Sequence, residues 1–285
     1  MTSVGIATGA ARGIGRACAE RLAASVDHLL LVDVDETSLA HVERAMTSSG
    51  HRAAVESIAL DVSDRAGVQR LADRVTERGS LRAVAHAAGI SPTMADWRRI
   101  FAVDLIGTAL MLDALRPLAS AGTATVCFAS MAAKLGVVDP DAKAFAIIDD
   151  PLADGFLDRI RDVVGPIIEE SGIAYAWAKY GVQRLVQAEA MRLGPLGARI
   201  CSISPGIIDT PQGQQEAAAQ DFMTVLLQQT PLGRMGSADE LAAVVAFLLS
   251  DEAAFLTGTD VLVDGGVCAA LVHGAAGEQR QRSSI

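Results

Sequence analysis

The chain has 285 residues, 51% of them hydrophobic and 20% charged, with a formal net charge of −10. That composition fits a globular protein with a substantial core; the acidic balance argues against a general nucleic-acid binder, which needs a basic surface for phosphates. No run reaches the roughly 18 apolar residues of a membrane helix, and no basic-then-apolar leader opens the chain, so a cytoplasmic protein is expected.

Taken in chain order, "SVGIAT" reads as a strand, "GIGRACAERLAAS" as a helix, "HLLLVDV" as a strand and "ETSLAHVERAMTSS" as a helix. The alternation continues through "AAVESIALDV", "AGVQRLADRVTER", "LRAVAHAAG", a long helix near 97–119 and the strand "ATVCFAS". It resumes with a helix over about 173–193, the strand "ARICSISPG", a helix at 238–250 and the strand "DVLVDGG". Alternation at this spacing implies a doubly wound α/β fold, a parallel sheet of about seven strands with helices on both faces. The strands are continuous apolar runs, as expected when both faces are buried. No linker divides the chain, so one domain over 1–270 is expected, with 271–285 a mobile tail. Cys18, Cys127, Cys201 and Cys268 are far apart and the five histidines are scattered, which predicts reduced thiols and no metal site.

"TGAARGIG", residues 8–15, follows the first strand and opens the first helix. Gly9, Gly13 and Gly15 would let backbone approach a pyrophosphate at a helix N-terminus, although such glycines can also serve packing alone. Asp33 ends the second strand eighteen positions after Gly15, near the offset expected for an acid that binds the adenosine ribose. A carboxylate there accepts from ribose hydroxyls and repels a 2′-phosphate, favouring NAD over NADP; Arg12 pulls the other way. "AYAWAKYGV", residues 174–182, sets Lys179 four positions after Tyr175. Residues so spaced on a helix are neighbours whatever their purpose, so this pair alone decides little.

Together these segments make the sequence resemble a short-chain dehydrogenase/reductase, over about residues 3–266. Residues 8–15 meet that family's Thr-Gly-x-x-x-Gly-Ile-Gly pattern in full, and Asp61-Val62 matches its adenine contact. "HAAG", 86–89, stands for the usual Asn-Asn-Ala-Gly and keeps Ala88 and Gly89; "SPGIIDTP", 204–211, matches the Pro-Gly segment that cups the nicotinamide. The resemblance implies a cofactor site from Gly9, Arg12, Gly13, Ile14, Gly15, Asp33, Asp61, Val62, Ala88, Gly89, Tyr175, Lys179, Pro205, Gly206, Ile208 and Thr210. It implies Tyr175 as the proton donor or acceptor at the substrate oxygen. A free phenol has a pKa near ~10, and Lys179 would lower it through its charge and hold the nicotinamide ribose. Ser130, in "FASMAA", would orient the substrate oxygen; its bland alternative is a strand-end hydroxyl satisfying backbone. Thr210 would contact the carboxamide or phosphates, or else cap the helix that Pro211 begins.

Several positions depart from the family pattern. Asp104, in "FAVDLIGT", occupies the place of a catalytic Asn, which implies a main-chain role in a proton relay with an added negative charge, or merely a helix-kink residue. His86 reads as a core residue. Tyr175 follows Ser130 by 45 positions, much further than relatives place them, which implies a helical insertion at about 134–172. Within it Phe156, Leu157, Ile160, Val163, Val164 and Ile167 fall on one face of an amphipathic helix. Some steroid and carbonyl reductases of this family carry a comparable insertion. It would line a hydrophobic substrate pocket, or block or rebuild a helix-pairing interface.

The functional expectation is an oxidoreductase passing hydride between NAD(H) and a secondary alcohol or ketone, a hydroxysteroid being one bulky candidate. The alternatives are an NADPH-dependent ketone reductase and a non-catalytic dinucleotide sensor, which would not need Ser130, Tyr175 and Lys179 together. No nucleic-acid or membrane partner is expected, and a homo-oligomer, dimer or tetramer, is.

Overall fold

A computed structural model describes residues 2–135, 138, 141–219 and 221–273. Through its first half the chain runs β1 (Ser3–Thr8), α1 (Gly13–Leu22), β2 (His28–Asp33), α2 (Glu36–Ser48), β3 (Ala54–Ala59), α3 (Arg65–Arg78), β4 (Ser80–His86), α4 (Trp97–Ile100), α5 (Thr108–Leu115) and β5 (Ala124–Phe128). The second half adds α6 (Ala142–Ile148), α7 (Phe156–Val164), α8 (Ser171–Leu193), β6 (Arg199–Pro205), β7 (Ile208–Asp209), α9 (Pro211–Ala219), α10 (Asp221–Gln229), β8 (Gly236–Ser237), α11 (Ala238–Leu249) and β9 (Asp260–Val263). Seven strands form one parallel sheet in the order β3-β2-β1-β4-β5-β6-β9. The order reverses between β1 and β4, where an open α/β sheet offers a crevice beyond its strand ends.

Period-2 alternation within the buried strands distributes the core. Leu29 and Leu31 of β2 face the cluster shared with α1, α2 and α11, whereas Leu30 and Val32 face the one shared with α3 and α5. Local signals start the helices: Asp35 accepts from Ser38 N, Asp64 accepts from Ala66 N, and Ser237 with Glu240 forms a capping box. The two-residue β7–β8 pair and helices α9 and α10 carry too little periodicity to be read from sequence.

The helix expected over 97–119 is not continuous. Residues Phe101–Gly107 between α4 and α5 form π-helical turns, and Arg116–Leu118 a 3₁₀ turn. Widened turns of this kind concentrate at functional sites. Here the π segment carries Asp104, which is buried beneath the strand ends with its Oδ1 accepting from Ile90 N at 2.9 Å.

The stretch between Ser130 and Tyr175 is helical, but as separate pieces. Asp141 caps α6, and α7 stops at Gly165, whose φ of +89° and following proline end the helix. That break corrects the expected face: Phe156 and Ile160 are buried, but Ile167 is 52% exposed and Ile168 is buried in its stead. Phe156 packs edge-on against Phe101 at 5.6 Å, Phe145 tilts against Tyr180, and Arg184 pairs with Asp149. The two helices therefore lie against the outer side of α8 and the π segment. At the C-terminus residues 267–273 are helical and Leu271 packs against the cluster of Met131, Ile207, Leu226 and Val267; of the stretch expected as a mobile tail, 274–285 fall outside the described residues. Among the described residues no helix is long and apolar enough to cross a membrane, and no group of His, Cys, Asp and Glu could hold a metal ion.

Candidate active site

A cavity of about 670 Å³ opens at the β1–β4 crevice. Every residue expected at the cofactor lines it: Gly9, Arg12, Gly13, Ile14, Gly15, Asp33, Asp61, Val62, Ala88, Gly89, Tyr175, Lys179, Pro205, Gly206, Ile208 and Thr210. Ser130 joins them, and Asp104 lies underneath, out of solvent. Sequence segments more than a hundred residues apart thus converge because parallel strands all end on one side.

The glycine loop is built for close approach. A Cβ on Gly15 would sit 2.2 Å from the Gly9 carbonyl oxygen, so any side chain would push the loop off α1. At the end of β2 the Asp33 carboxylate accepts from Ala11 N at 3.0 Å and Asp35 N at 3.1 Å, which fixes it at the cavity rim with lone pairs to spare. Arg12 lies within electrostatic reach of Asp35, so its charge is partly answered within the protein. Asp61, expected at the adenine, is bound by Arg99 at 2.6 Å and by Ser63. Burial opposes its ionisation, but those donors hold the carboxyl below its ordinary range. Thr210 takes the capping role, its hydroxyl accepting from Gly213 N at 3.0 Å at the start of α9, and it also lines the cavity.

At the other end stand Ser130, Tyr175 and Lys179. Ser130 follows β5 and its Oγ accepts from Ala132 N at 3.2 Å. Tyr175 and Lys179 share a face of α8, with Lys179 Nζ 5.6 Å from the Tyr175 ring centroid. Lys179 is buried, donates to the Phe128 carbonyl at 3.1 Å and lies 3.7 Å from Asp104 Oδ1. Gly89 makes room for this pair: a Cβ there would meet Asp104 Oδ1 at 2.9 Å and Lys179 Nζ at 3.1 Å. Asp104 Oδ2 is buried with no hydrogen-bond partner.

Burial pushes the Tyr175 phenol up, as do the carboxylates of Asp104 and Glu216, with Ser130 opposing. The ammonium expected to lower it stands 5.6 Å from the ring and is shared with Asp104 and Phe128. Burial likewise pushes Asp104 up, against the pull of Lys179 and Ile90 N.

His86 is a core residue, 2% exposed, but it also joins the two halves of the site. Thr8 Oγ1 accepts from Ala88 N at 2.9 Å and lies 2.9 Å from His86 Nδ1. Thr108 Oγ1 donates to the Asp104 carbonyl at 2.8 Å and lies 3.1 Å from His86 Nε2. One proton arrangement satisfies both hydroxyls: Nε2 donates to Thr108 and Nδ1 accepts from Thr8. Burial, assisted by the Lys179 charge, pushes this histidine down to about 3, so it is neutral. Sequence reading missed this chain, as well as Arg99 on Asp61 and the Glu216 carboxyl facing the cavity. None of the three has a local signature, since each draws at least one partner from another element.

A family model described as enoyl-(acyl carrier protein) reductase matches residues 9–146 and 163–268. The levodione reductase of Leifsonia aquatica is 33% identical, with 92% of this chain and 93% of that protein covered. A short-chain dehydrogenase/reductase of Alternaria brassicicola is 32% identical, with 92% of this chain and 94% of that protein covered. The chain belongs to the short-chain dehydrogenase/reductase family. The cis-4-hydroxycyclohexanecarboxylate dehydrogenase of Sinomonas cyclohexanicum is 31% identical, with 93% and 96% covered. The crystal structure of levodione reductase superposes with a TM-score of 0.71 at 30% identity, covering 94% of this chain and 98% of that one. Membership makes this an oxidoreductase acting on CH–OH groups with a nicotinamide dinucleotide. The residues present fit such a group: a glycine cradle that a single Cβ would fill, a rim carboxylate and a buried lysine beside a phenol.

Proposed function

We propose that the chain interconverts a secondary alcohol and its ketone with NAD(H), and that Ser130, Tyr175, Lys179 and Asp104 carry the proton chemistry. The observation that supports this is the shared cavity: Ser130, Tyr175 and Lys179 at one end, Asp33 at the other. The bound dinucleotide supplies the hydride acceptor or donor. Ser130 holds the substrate oxygen, and Tyr175 takes or gives the proton on that oxygen. Lys179 would hold the nicotinamide ribose hydroxyls. The buried Asp104 carboxylate and the Phe128 carbonyl hold the ammonium, while the Asp104 main-chain carbonyl accepts from Thr108.

NAD is favoured because the Asp33 carboxylate lines the cavity at the end of β2, where it would accept from ribose hydroxyls and repel a 2′-phosphate. Arg12 remains the feature that would serve NADPH. We further assign 134–172 to an insertion, since the family match leaves out 147–162 within it. Among the described residues its helices α6 and α7 line none of the cavity and α6 packs on α8, while Leu135, Glu170 and Gly172 at its two ends do line it, so the helices themselves give a hydroxysteroid no support. The ring alcohol acted on by the Sinomonas relative points instead to a compact cyclic alcohol. A homo-oligomer, dimer or tetramer, is expected from the resemblance, and sedimentation measures it. Titrating the protein with NADH and NADPH, then assaying cyclic secondary alcohols, tests the whole reading. Tighter NADPH binding would refute the NAD assignment, and saturable binding without turnover of any alcohol would favour a sensor.

A further inference from the structure

Charged groups around the cavity are unevenly placed. Its lining cations among the described residues are Arg12, Arg99 and Lys179. Each is answered within the protein: Arg12 by Asp35, Arg99 by Asp61 at 2.6 Å, and Lys179 by Asp104 and the Phe128 carbonyl. Two lining carboxylates, Glu170 and Glu216, are less fully answered: Glu216 feels only Lys179, which Asp104 already holds. Glu170 stands at the mouth on the N-terminus of α8, exposed and capping nothing. Glu216 faces inward from α9, with its carboxyl on the Ser91 hydroxyl and the Gln212 side chain, both neutral.

Glu216 lines the same cavity as Tyr175 and Lys179, and its charge bears on the Tyr175 phenol. The same cavity wall carries apolar Ile207, Met223 and Leu226. A carboxylate in that setting is poorly solvated, and burial holds it above its ordinary value. Such a group gains most from a ligand that brings a hydrogen-bond donor, above all a charged one. It opposes an anion strongly, because low-dielectric walls screen the repulsion less than water does.

We propose that Glu216 is a specificity-determining residue: the substrate is a compact alcohol bearing a second hydrogen-bond donor, ammonium or hydroxyl, and carboxylated alcohols are rejected. This rests on the oxidoreductase reading above but goes beyond it, since the Sinomonas relative is named for a carboxylate substrate. The carbinol would sit at Ser130 and Tyr175 while the second donor reaches Glu216.

The test uses 4-aminocyclohexanol and 4-hydroxycyclohexanecarboxylate on the wild-type protein and Glu216→Gln, loaded with whichever reduced nicotinamide cofactor binds. Calorimetry gives the affinity of each alcohol in the dead-end complex, and kcat/KM with oxidised cofactor gives turnover. In wild type the amine should exceed the acid by at least tenfold in both measurements. In Glu216→Gln that ratio should fall to within threefold, and in wild type it should relax as pH falls and Glu216 takes up a proton. A wild-type ratio below threefold, or one unchanged in Glu216→Gln, overturns the proposal. If the binding ratio holds but neither compound nor cyclohexanol is turned over, the recognition stands and the catalytic reading falls. If cyclohexanol is turned over while the binding ratio is absent, the reverse follows.

Discussion

Asp104→Asn isolates the charge that sets this site apart from the family pattern. Asp104 Oδ1 lies 3.7 Å from Lys179 Nζ, which lies 5.6 Å from the Tyr175 ring centroid. The carboxylate is therefore no more than about 9 Å from the ring, where a unit charge at an effective dielectric of about 20 is worth about 2 kcal/mol. That corresponds to somewhat over one pKa unit, at about 1.4 kcal/mol each. A negative neighbour disfavours phenolate, so Asp104 raises the Tyr175 pKa and asparagine relieves the rise. For alcohol oxidation the phenolate is the active form, and kcat climbs as pH passes its pKa. The ascending limb of kcat should thus move about one unit toward acid in Asp104→Asn. Asparagine keeps an acceptor for Ile90 N, but it leaves the buried Lys179 unpaired, which can cost about 3–5 kcal/mol of stability. Thermal unfolding of the same samples separates that loss from the shift of the limb. A limb that stays in place, or moves toward alkali, would refute the reasoning, because Asp104 would then carry no charge in the working protein.

Tyr175→Phe should lower kcat by about 10²–10⁴-fold, the span of general acid–base catalysis, while cofactor binding persists; retained turnover would remove Tyr175 from the mechanism. Asp33→Ala should weaken NADH by about tenfold, near 1.4 kcal/mol, and leave NADPH unchanged or tighter, as titration fluorimetry would show. Equal weakening of both cofactors would place Asp33 in the scaffold only. His86 is neutral in the folded chain and titrates at about 3, whereas unfolded histidine titrates near 6.5. The unfolded state therefore binds the extra proton, and stability falls as pH drops below about 6.5. Between pH 6.5 and 4 this amounts to about 3 kcal/mol, at roughly 1.4 kcal/mol per unit. Urea unfolding of wild type against His86→Gln should show the steeper acid loss in wild type; matching slopes would count against a neutral buried imidazole.

The parallel sheet, the glycine loop and the residues expected at the cofactor, all of which line the cavity, were legible in the sequence. Local rules govern those features: apolar runs of strand length, glycines where backbone must approach, Asp33 at the end of β2 and Tyr175 one turn from Lys179 on α8. Their order along the chain suffices because parallel strands deliver all of their C-terminal ends to one crevice. Tertiary structure alone decided which charges meet. It turned Lys179 toward Asp104 and Phe128, closed the Thr8–His86–Thr108 chain between β1, β4 and α5, and set the Glu216 carboxyl against Ser91. It also split the helix around Asp104 with π turns and swapped Ile168 for Ile167 behind the Gly165–Pro166 break. Periodicity carries information about a residue's own element only. Electrostatics between buried groups depends on distances across elements, and no single stretch of sequence contains them.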